Sequence, residues 1–297
     1  MTKYSIKDLE KLTGIKAHTI RIWEKRYNIV CPLRTTTNIR YYTDGDLKRL
    51  LNVSILNRNG FKISNIVRLT TEEIRNSVIE ASAFSLSFES QIETLVIAML
   101  DLDENKFEKS ISNSILKLGF EDTVSNIIYP FLEKIGILWQ IGTINPAHEH
   151  FITNLIRQKL IIAIDTENPS LIPNNKTFVL FLPEGELHEL SLLFYSFLIK
   201  KRGHRIIYLG QSLPFEDLKQ IKLVIRPDFV VTVITSVLTG KELQNYIRHL
   251  SEQFPEQTLL FGGNQINELP DLRLKNVFMM KRKSDLENIL LNIDYFS

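Results

Sequence analysis

The amino-acid sequence predicts a multidomain protein that combines all-α regions with one α/β region. Three observations support this prediction. Residues 1–72 alternate short helical patterns with one basic non-helical stretch, residues 86–168 are helical almost throughout, and from residue 175 to 297 short apolar strands alternate with helices. At 297 residues the chain is long enough for three domains with separate cores.

The composition is that of a globular protein, with 44% hydrophobic and 24% charged residues. No run of about 18 apolar residues is present, and the N-terminal residues lack the apolar core of a signal peptide. A single cysteine, Cys31, excludes an intrachain disulfide and a cysteine-rich zinc site. These features predict a cytoplasmic protein without a membrane span.

The net charge of +2 conceals a strong asymmetry. Residues 1–70 contain 14 Lys and Arg against 5 Asp and Glu, whereas the remaining residues contain 22 against 29. A basic head on an acidic body predicts a polyanionic partner for the head, and a solvated basic surface is the alternative.

The head contains the elements of a winged helix-turn-helix. Ser5 and Asp8 have the spacing of a capping box and begin a short helix. A second helix is predicted from Lys16 to Tyr27. Its apolar residues share one face, whereas His18 and Arg21 lie on the opposite side, where a recognition helix meets DNA.

A basic and aromatic hairpin is predicted next, from Asn28 to Tyr42. It carries Arg34, Arg40 and Tyr41, which suit contacts with phosphates beside the recognition helix. Thr43 then begins a further capped helix that ends near residue 60.

The head resembles the MerR family of transcription regulators. The resemblance covers about the first 70 residues and depends on YSIKDLEKLTGIKAHTIRIWEKRY, a wing that ends in RYY, and the pattern D-x-D-L-x-x-L. It implies that Thr19, Arg21, Arg34, Arg40 and Tyr41 contact operator DNA, mostly at its phosphates. Such contacts make affinity fall steeply with salt.

Residues 70–85 are polar and poor in large apolar side chains, which predicts a linker. Beyond it we predict four helices, 88–101, 103–118, 121–138 and 146–164, packed as a small antiparallel bundle. Pro130 is expected to kink or divide the third helix.

The bundle region contains an unusual box in which Trp139 is followed, after nine residues, by Glu149 and His150. By itself this pattern is typical of helix packing and capping. Because Pro146 marks a helix start, Glu149 and His150 are expected in the first turn, beside the gap left by the loop that contains Gly142.

The last region predicts a Rossmann-like parallel sheet covered by helices on both faces. Its strands are expected at 178–182, 205–209, 229–234 and 259–261, with 277–280 as a fifth. Ligands of such sheets bind beyond the carboxyl ends of the strands. Six candidate residues fall there: Glu186, His188, Ser236, Leu238, Gly262 and Gly263.

Each of these residues has a chemistry of its own that suits a binding site. A neutral His188 imidazole can bind a metal, and Glu186 can orient it. Ser236 and Leu238 can line a pocket, and Gly262-Gly263 allows a bulky group to approach the backbone. A lone loop histidine is more often structural, but matches at three strand ends favour a site.

The same residues resemble the fingerprint of the cobalamin-binding domain of corrinoid proteins, Asp-x-His-x-x-Gly, Ser-x-Leu and Gly-Gly. This resemblance implies that His188 is the lower ligand of cobalt. It also implies that the nucleotide tail of the cofactor runs along Ser236 and the Gly262-Gly263 pair. Glu186 replaces the family's Asp, and Ser191 replaces its Gly.

The whole chain, with the Trp139 box included, is similar to the CarH/LitR type of MerR regulator, which represses genes under the control of adenosylcobalamin and light. The similarity implies that Trp139, Glu149 and His150 cap the upper face of the cofactor. It further implies a homo-oligomer that binds operator DNA in the dark and dissociates in light. Gln140 stands where the type has a His that ligates cobalt after illumination.

The sequence therefore predicts a DNA-binding transcriptional regulator, in the role of a repressor, that senses adenosylcobalamin and light through its oligomeric state, as a dimer or a tetramer. Two alternatives remain. One is a diverged MerR-type regulator that answers to another ligand or protein, as Ser191 and Gln140 would allow. The other is a corrinoid methyl carrier, against which the basic head argues. No catalytic constellation is apparent, so an enzyme is not expected.

Overall fold

The computed structural model describes residues 3–84, 87–140, 144–167, 175–270 and 272–293. The chain divides into two compact units, Met1–Leu155 and Ile156–Ser297. Within the described ranges, no helix is both long and apolar enough to cross a membrane.

The first unit begins with the predicted winged helix-turn-helix. Its elements are α1 (Ile6–Thr13), α2 (Ala17–Tyr27), the antiparallel hairpin of β1 (Leu33–Arg34) and β2 (Arg40–Tyr41), α3 (Asp44–Arg58) and α4 (Ile63–Ile66). The Ser5 hydroxyl accepts from the Asp8 amide at 3.2 Å, and the Asp8 carboxylate accepts from the Ser5 amide at 2.7 Å. This reciprocal capping box is the one that the sequence predicts.

The predicted linker is instead a helix, α5 (Thr71–Phe84), so that prediction is wrong. Thr70 and Glu73 form a capping box in which the Thr70 amide donates to the Glu73 carboxylate at 2.7 Å and the Glu73 amide donates to the Thr70 hydroxyl at 3.2 Å. Ile74 and Val78 lie one turn apart and are buried. The polar composition concealed this spacing, but the Thr-x-x-Glu signal was present.

The bundle follows as α6 (Phe88–Asp101), α7 (Glu104–Leu118), α8 (Phe120–Thr123), a π-helical turn (Val124–Ile128), α9 (Tyr129–Gln140) and α10 (Pro146–Thr166). The third predicted helix thus comprises α8, the π turn and α9. In the π turn the Tyr129 amide bonds to the Val124 carbonyl, five residues back. Pro130 follows directly and has no amide hydrogen, so it cannot donate a helical hydrogen bond. The wider π turn lies just before it, and the helical segment continues through the proline as α9.

The second unit contains the predicted parallel α/β fold. Its elements are β3 (Thr177–Pro183), α11 (Leu190–Lys201), β4 (Arg205–Leu213), α12 (Phe215–Val224), β5 (Phe229–Val233), α13 (Gly240–Gln253), β6 (Thr258–Gly262), α14 (Asn264–Asn267), β7 (Val277–Met279) and α15 (Lys283–Leu291). Every residue of β5 and β6 is buried, which explains why these strands are apolar without alternation.

The strand order β4-β3-β5-β6-β7 places a topological switch at the carboxyl end of β3. From β3 the chain goes to β4 on one side and then crosses to β5 on the other. Glu186 and His188 follow β3 directly, whereas Ser236 follows β5 and Gly262 ends β6. The fold therefore positions the predicted residues at the edge where open α/β sheets bind ligands.

Candidate functional site

Glu186 connects the loops that follow β3 and β5. Its side chain is fully buried. One carboxylate oxygen, Oε2, accepts from the amides of Thr235 and Ser236, each at 2.8 Å. The other, Oε1, accepts from the amides of Leu187 at 3.1 Å and His188 at 3.2 Å. Both oxygens are thus satisfied by backbone donors.

The Glu186 carboxyl group is ionised at neutral pH. Burial alone would raise its pKa, but hydrogen bonds from the His188 side chain and from the amides of Ser236, Thr235 and His188 outweigh that effect and lower the pKa to about 2. The loop therefore contains a fixed buried anion.

His188 is held by this anion. Its Nδ1 lies 2.6 Å from Oε1 of Glu186, while 59% of its side chain is exposed. A carboxylate at this distance favours the tautomer with the proton on Nδ1, and the lone pair of the neutral ring is then on Nε2. The Ser236 hydroxyl lies 3.4 Å from Nδ1 and adds a weaker contact.

Two contacts that the sequence did not predict support the His188 loop from β4. The Gln211 amide nitrogen donates to the Leu187 carbonyl at 2.7 Å, and the Gly185 amide donates to the Ser212 hydroxyl at 3.0 Å. Ser212 has a φ of 51°, in the left-handed region, and the pairing of β4 with β3 shifts register nearby. A glycine within the strand, Gly210, was the signal for such an irregularity.

Gly262 ends β6 and Gly263 follows it, and the protein's own packing requires both glycines. Gly263 has a φ of 105°, and a Cβ there would lie 2.2 Å from the Ile234 carbonyl oxygen. A Cβ on Gly262 would lie 2.9 Å from the Tyr195 hydroxyl. The Tyr195 side chain therefore occupies the space that a side chain at position 262 would need. Leu238 packs, partly buried, against the apolar core of the unit.

A second buried carboxylate, Glu189, holds the start of α11. Arg157 of α10 pairs with its Oε1, and the Tyr208 hydroxyl of β4 donates to its Oε2 at 2.9 Å. The sequence did not reveal this trio because its members are far apart along the chain.

The Trp139 box lies in the first unit. Trp139 is in α9, although its side chain and that of Gln140 lie outside the described residues, as does Gly142. Glu149 lies in the first turn of α10, as predicted, whereas His150 is the fifth residue of the helix and begins its second turn; His150 Nδ1 lies 3.3 Å from Glu149 Oε2. The structure thus pairs these two residues, whereas His188 belongs to the other unit.

The candidate DNA surface begins on α2. His18 and Arg21 are exposed there, and Thr19 between them is half-buried. Ile20 is fully buried in the core of the unit. The helix therefore presents the predicted polar face while its apolar face packs inward.

The wing is tied to α2 through Glu24, a residue that the sequence analysis did not single out. Arg40 lies 3.8 Å from one carboxylate oxygen of Glu24, and the Tyr42 hydroxyl donates to the other at 3.1 Å. Arg34 pairs with Arg40 across the hairpin and donates to the Asn38 side chain at 2.7 Å. Lys3 lies 4.9 Å above the Tyr41 ring. All three predicted wing residues are thus positioned by local contacts.

A buried ionic cluster connects the head with the bundle. Glu93 of α6 is 1% exposed, and its Oε1 accepts from Arg58 and Ser54 of α3, each at 3.2 Å. Burial raises the pKa of Glu93 to about 7, although Arg58, Lys134 and Ser54 oppose the shift. Burial also lowers the pKa of Lys134. No sequence signal indicated this cluster.

The donor set suits a metal that arrives within a cofactor. Among the described residues, no group of three or more His, Cys, Asp or Glu side chains could hold a metal ion. One exposed imidazole with a buried carboxylate behind it could supply one nitrogen ligand to such a metal. The residues present therefore fit a cobalt corrinoid, which would bring its other metal ligands with it.

Comparison with known proteins identifies two domains. Residues 4–73 match the MerR HTH family regulatory protein model, and residues 91–163 match the model of a B12 binding domain. The second match falls on the helical bundle.

Two curated relatives extend over most of the chain. The HTH-type transcriptional repressor CarH of Myxococcus xanthus is 26% identical over 266 residues, which cover 88% of this chain and 88% of the relative. The repressor CarA of the same organism is 26% identical over 277 residues, 93% of this chain and 90% of the relative.

The monomethylamine corrinoid protein of Methanosarcina barkeri has a similar fold. Its structure matches 70% of this chain and all of its own with a TM-score of 0.53 at 12% identity. At that identity the match shows the fold alone, and it confirms the predicted combination of a helical region with a parallel sheet.

Proposed function

Since the chain is a homologue of the CarH and CarA repressors that combines a MerR helix-turn-helix with a B12-binding domain, we propose that it is a transcriptional regulator that senses adenosylcobalamin. The observation that carries the proposal is the pairing of His188 with the buried carboxylate of Glu186 at the switch point of the sheet. The proposal assigns no catalytic residue.

The proposed roles divide the chain into three parts. Residues 1–72 bind operator DNA through His18, Thr19, Arg21 and the three wing residues Arg34, Arg40 and Tyr41. Residues 86–168 cover the upper face of the cofactor with Trp139, Glu149 and His150. Residues 175–297 bind its lower face.

In the lower site, Glu186 holds the Nδ1 proton of His188, so that Nε2 of His188 would be the atom that holds the cobalt of the bound cofactor. Ser236, Leu238 and the Gly262-Gly263 pair line the path of the nucleotide tail, and the Tyr195 side chain lies beside Gly262. The bound cofactor supplies a light-sensitive cobalt–carbon bond. We further propose that light changes the oligomeric state and thereby the affinity for DNA.

The first test is cofactor binding by the full chain. We expect His188→Ala to lower the affinity for adenosylcobalamin at least about a hundredfold, because the side chain that would hold the cobalt, and that Glu186 orients, is lost. His249→Ala is the matched control, since His249 is also an exposed histidine of the second unit. Absorbance titration in the dark gives the affinity.

The spectroscopic readout separates ligation from folding. In protein labelled with ¹⁵N-histidine, the paramagnetic resonance spectrum of bound cob(II)alamin should show coupling to a histidine nitrogen that His188→Ala removes. Unchanged coupling or affinity in His188→Ala would remove His188 from the site. Size exclusion before and after green light tests the oligomer change, and an unchanged elution volume would contradict the light response.

The second test concerns DNA. A phosphate contact from Arg21 should contribute to counterion release, so Arg21→Gln should reduce the slope of log affinity against log salt by about 1. Fluorescence anisotropy with a labelled duplex measures the slope. Arg248→Gln, which neutralises an exposed arginine of the second unit, serves as the control. A slope equal to that of the control would exclude Arg21 as a phosphate contact.

A further inference from the structure

A large cleft in the first unit contains none of the residues assigned above. Its volume is about 1100 Å³, and it lies between α3, α5, α6 and α7. Because α3 follows the wing directly and α6 and α7 belong to the bundle, the cleft spans the head and the bundle. We call it the α3–α7 cleft.

Two cations line this cleft without an ion-pair partner in the part of the chain that the structure describes. Nε of Arg49 is buried and has no hydrogen-bond acceptor there. Lys109 is exposed at the cleft and likewise has no carboxylate partner. By contrast, Lys48 and Lys106 both pair with Asp101. Since that Nε has almost no accessible surface, a ligand in the cleft would meet the rest of the half-buried Arg49 side chain, and its positive charge and that of Lys109 favour an anion there.

The rest of the lining is mixed: it includes apolar side chains and the carboxylates of Asp101, Asp103 and Glu104, of which the first two lie beside Lys106. Ile74 and Val78 contribute from α5 and Ile97 from α6, while Leu102, which is 50% exposed, lies at its edge. Ile74, Val78 and Ile97 are only 4 to 6% exposed, so Leu102 supplies most of the apolar surface that a ligand in the cleft would cover. Apolar walls with a few convergent polar groups are typical of sites for small organic molecules.

We propose that the α3–α7 cleft binds an organic anion with an apolar body, whose carboxylate, phosphate or sulfonate group pairs with Arg49 and Lys109. Asn52 and Asn113 line the same cleft and offer further hydrogen bonds. A ligand held there contacts the helix that follows the wing and two helices of the bundle. It is therefore a second input to the head, separate from the cofactor site.

The test uses the full chain and two dyes of nearly the same shape. The anionic probe is 1-anilinonaphthalene-8-sulfonate, and the neutral probe is N-phenyl-1-naphthylamine, which lacks the sulfonate. The double variant Arg49→Met/Lys109→Met removes both charges but keeps apolar side chains. We expect it to weaken binding of the anionic dye by about tenfold or more, and that of the neutral dye by less than about twofold.

Arg68→Met/Lys62→Met is the matched control, since it also removes one arginine and one lysine that are exposed on the head. It should leave both affinities unchanged. If the double variant fails to fold, as judged by circular dichroism, Lys109→Met alone is the test, because an exposed lysine can be replaced without loss of the fold. This single variant should weaken binding of the anionic dye by about threefold.

Three outcomes would overturn the proposal. The first is that Arg49→Met/Lys109→Met binds the anionic dye with an affinity within twofold of that of the unmodified chain. The second is an equal loss for both dyes, which would indicate a change of shape. The third is displacement of the anionic dye by adenosylcobalamin, which would place the dye in the cofactor site. Retained dye binding in His188→Ala separates this result from a failure of the cobalamin proposal.

Discussion

Glu186 beside the sheet and Glu93 between the head and the bundle are buried to the same degree, with exposures of 0% and 1%, yet their pKa values lie at about 2 and about 7. Around Glu186, four backbone amides and the His188 ring donate to both oxygens. Around Glu93, Arg58 and Ser54 donate to one oxygen, and the other has no hydrogen-bond partner among the described residues.

The difference shows that burial alone does not decide the charge of a carboxyl group. Fixed amide donors replace the lost hydration of Glu186, and the resulting anion keeps His188 in one tautomer. Only one oxygen of Glu93 has hydrogen-bond donors, so burial dominates and the carboxyl group changes its charge near neutral pH. One glutamate is suited to hold a ligand, and the other makes the contact between head and bundle sensitive to pH.

The largest expected effect follows from Glu186→Gln. The new amide places N–H groups against the backbone donors that now bind the carboxylate, so the second unit should lose about 3 to 4 kcal/mol of stability. Hydrogen exchange of peptides from β3 and β5, measured by mass spectrometry on the full chain, reports the loss. Glu184→Gln, an exposed neighbour, is the control, and equal exchange in both variants would contradict the assignment.

The next effect is the pH dependence of the first unit. A pKa of about 7 for Glu93 exceeds the ordinary value of 4.5, so the folded state binds the proton more tightly than the unfolded state. The contribution of Glu93 to the free energy of unfolding of the first unit is therefore fully present below pH 4.5. It falls as the pH rises towards 7, by at most about 3 kcal/mol.

Urea unfolding followed by tryptophan fluorescence measures this dependence, because Trp23 and Trp139 both lie in the first unit. The charged neighbours of Glu93 are Arg58, Lys134 and Glu89. Glu93→Gln should abolish the fall between pH 4.5 and 7 and change stability at low pH by less than about 1 kcal/mol. An identical pH profile in this variant would show that another group titrates.

The smallest effects separate the serines that contact the two glutamates. Ser236 lies 3.3 to 3.4 Å from Glu186, whose amide donors remain when the hydroxyl is removed, so Ser236→Ala should cost less than about 0.5 kcal/mol. Ser54 is buried and lies 3.2 Å from Glu93 and 3.0 Å from the Thr13 carbonyl. Ser54→Ala should cost about 1 kcal/mol. Urea unfolding measures the loss in Ser54→Ala, and hydrogen exchange measures the loss in Ser236→Ala. A larger loss of stability in Ser236→Ala than in Ser54→Ala would contradict the comparison.

Much of the fold could be predicted because its signals are local. The capping boxes at Ser5 and Thr43, the continuous apolar strands and the alternation of strands with helices each depend on neighbouring residues. The six residues at the strand ends could be predicted for a related reason. Parallel strands end at a common edge, so positions near those ends are brought together without knowledge of any side-chain contact.

The sequence by itself thus determined the fold class, the basic head and the placement of His188 beside Glu186. The tertiary structure decided which groups these residues meet. Glu24 holds the wing, Tyr195 covers Gly262, and Glu93 meets Arg58 only because helices that are distant along the chain pack together. The physical reason is that a carboxyl group's charge and a cleft's affinity depend on donors and acceptors from several elements, and local patterning does not encode where those elements meet.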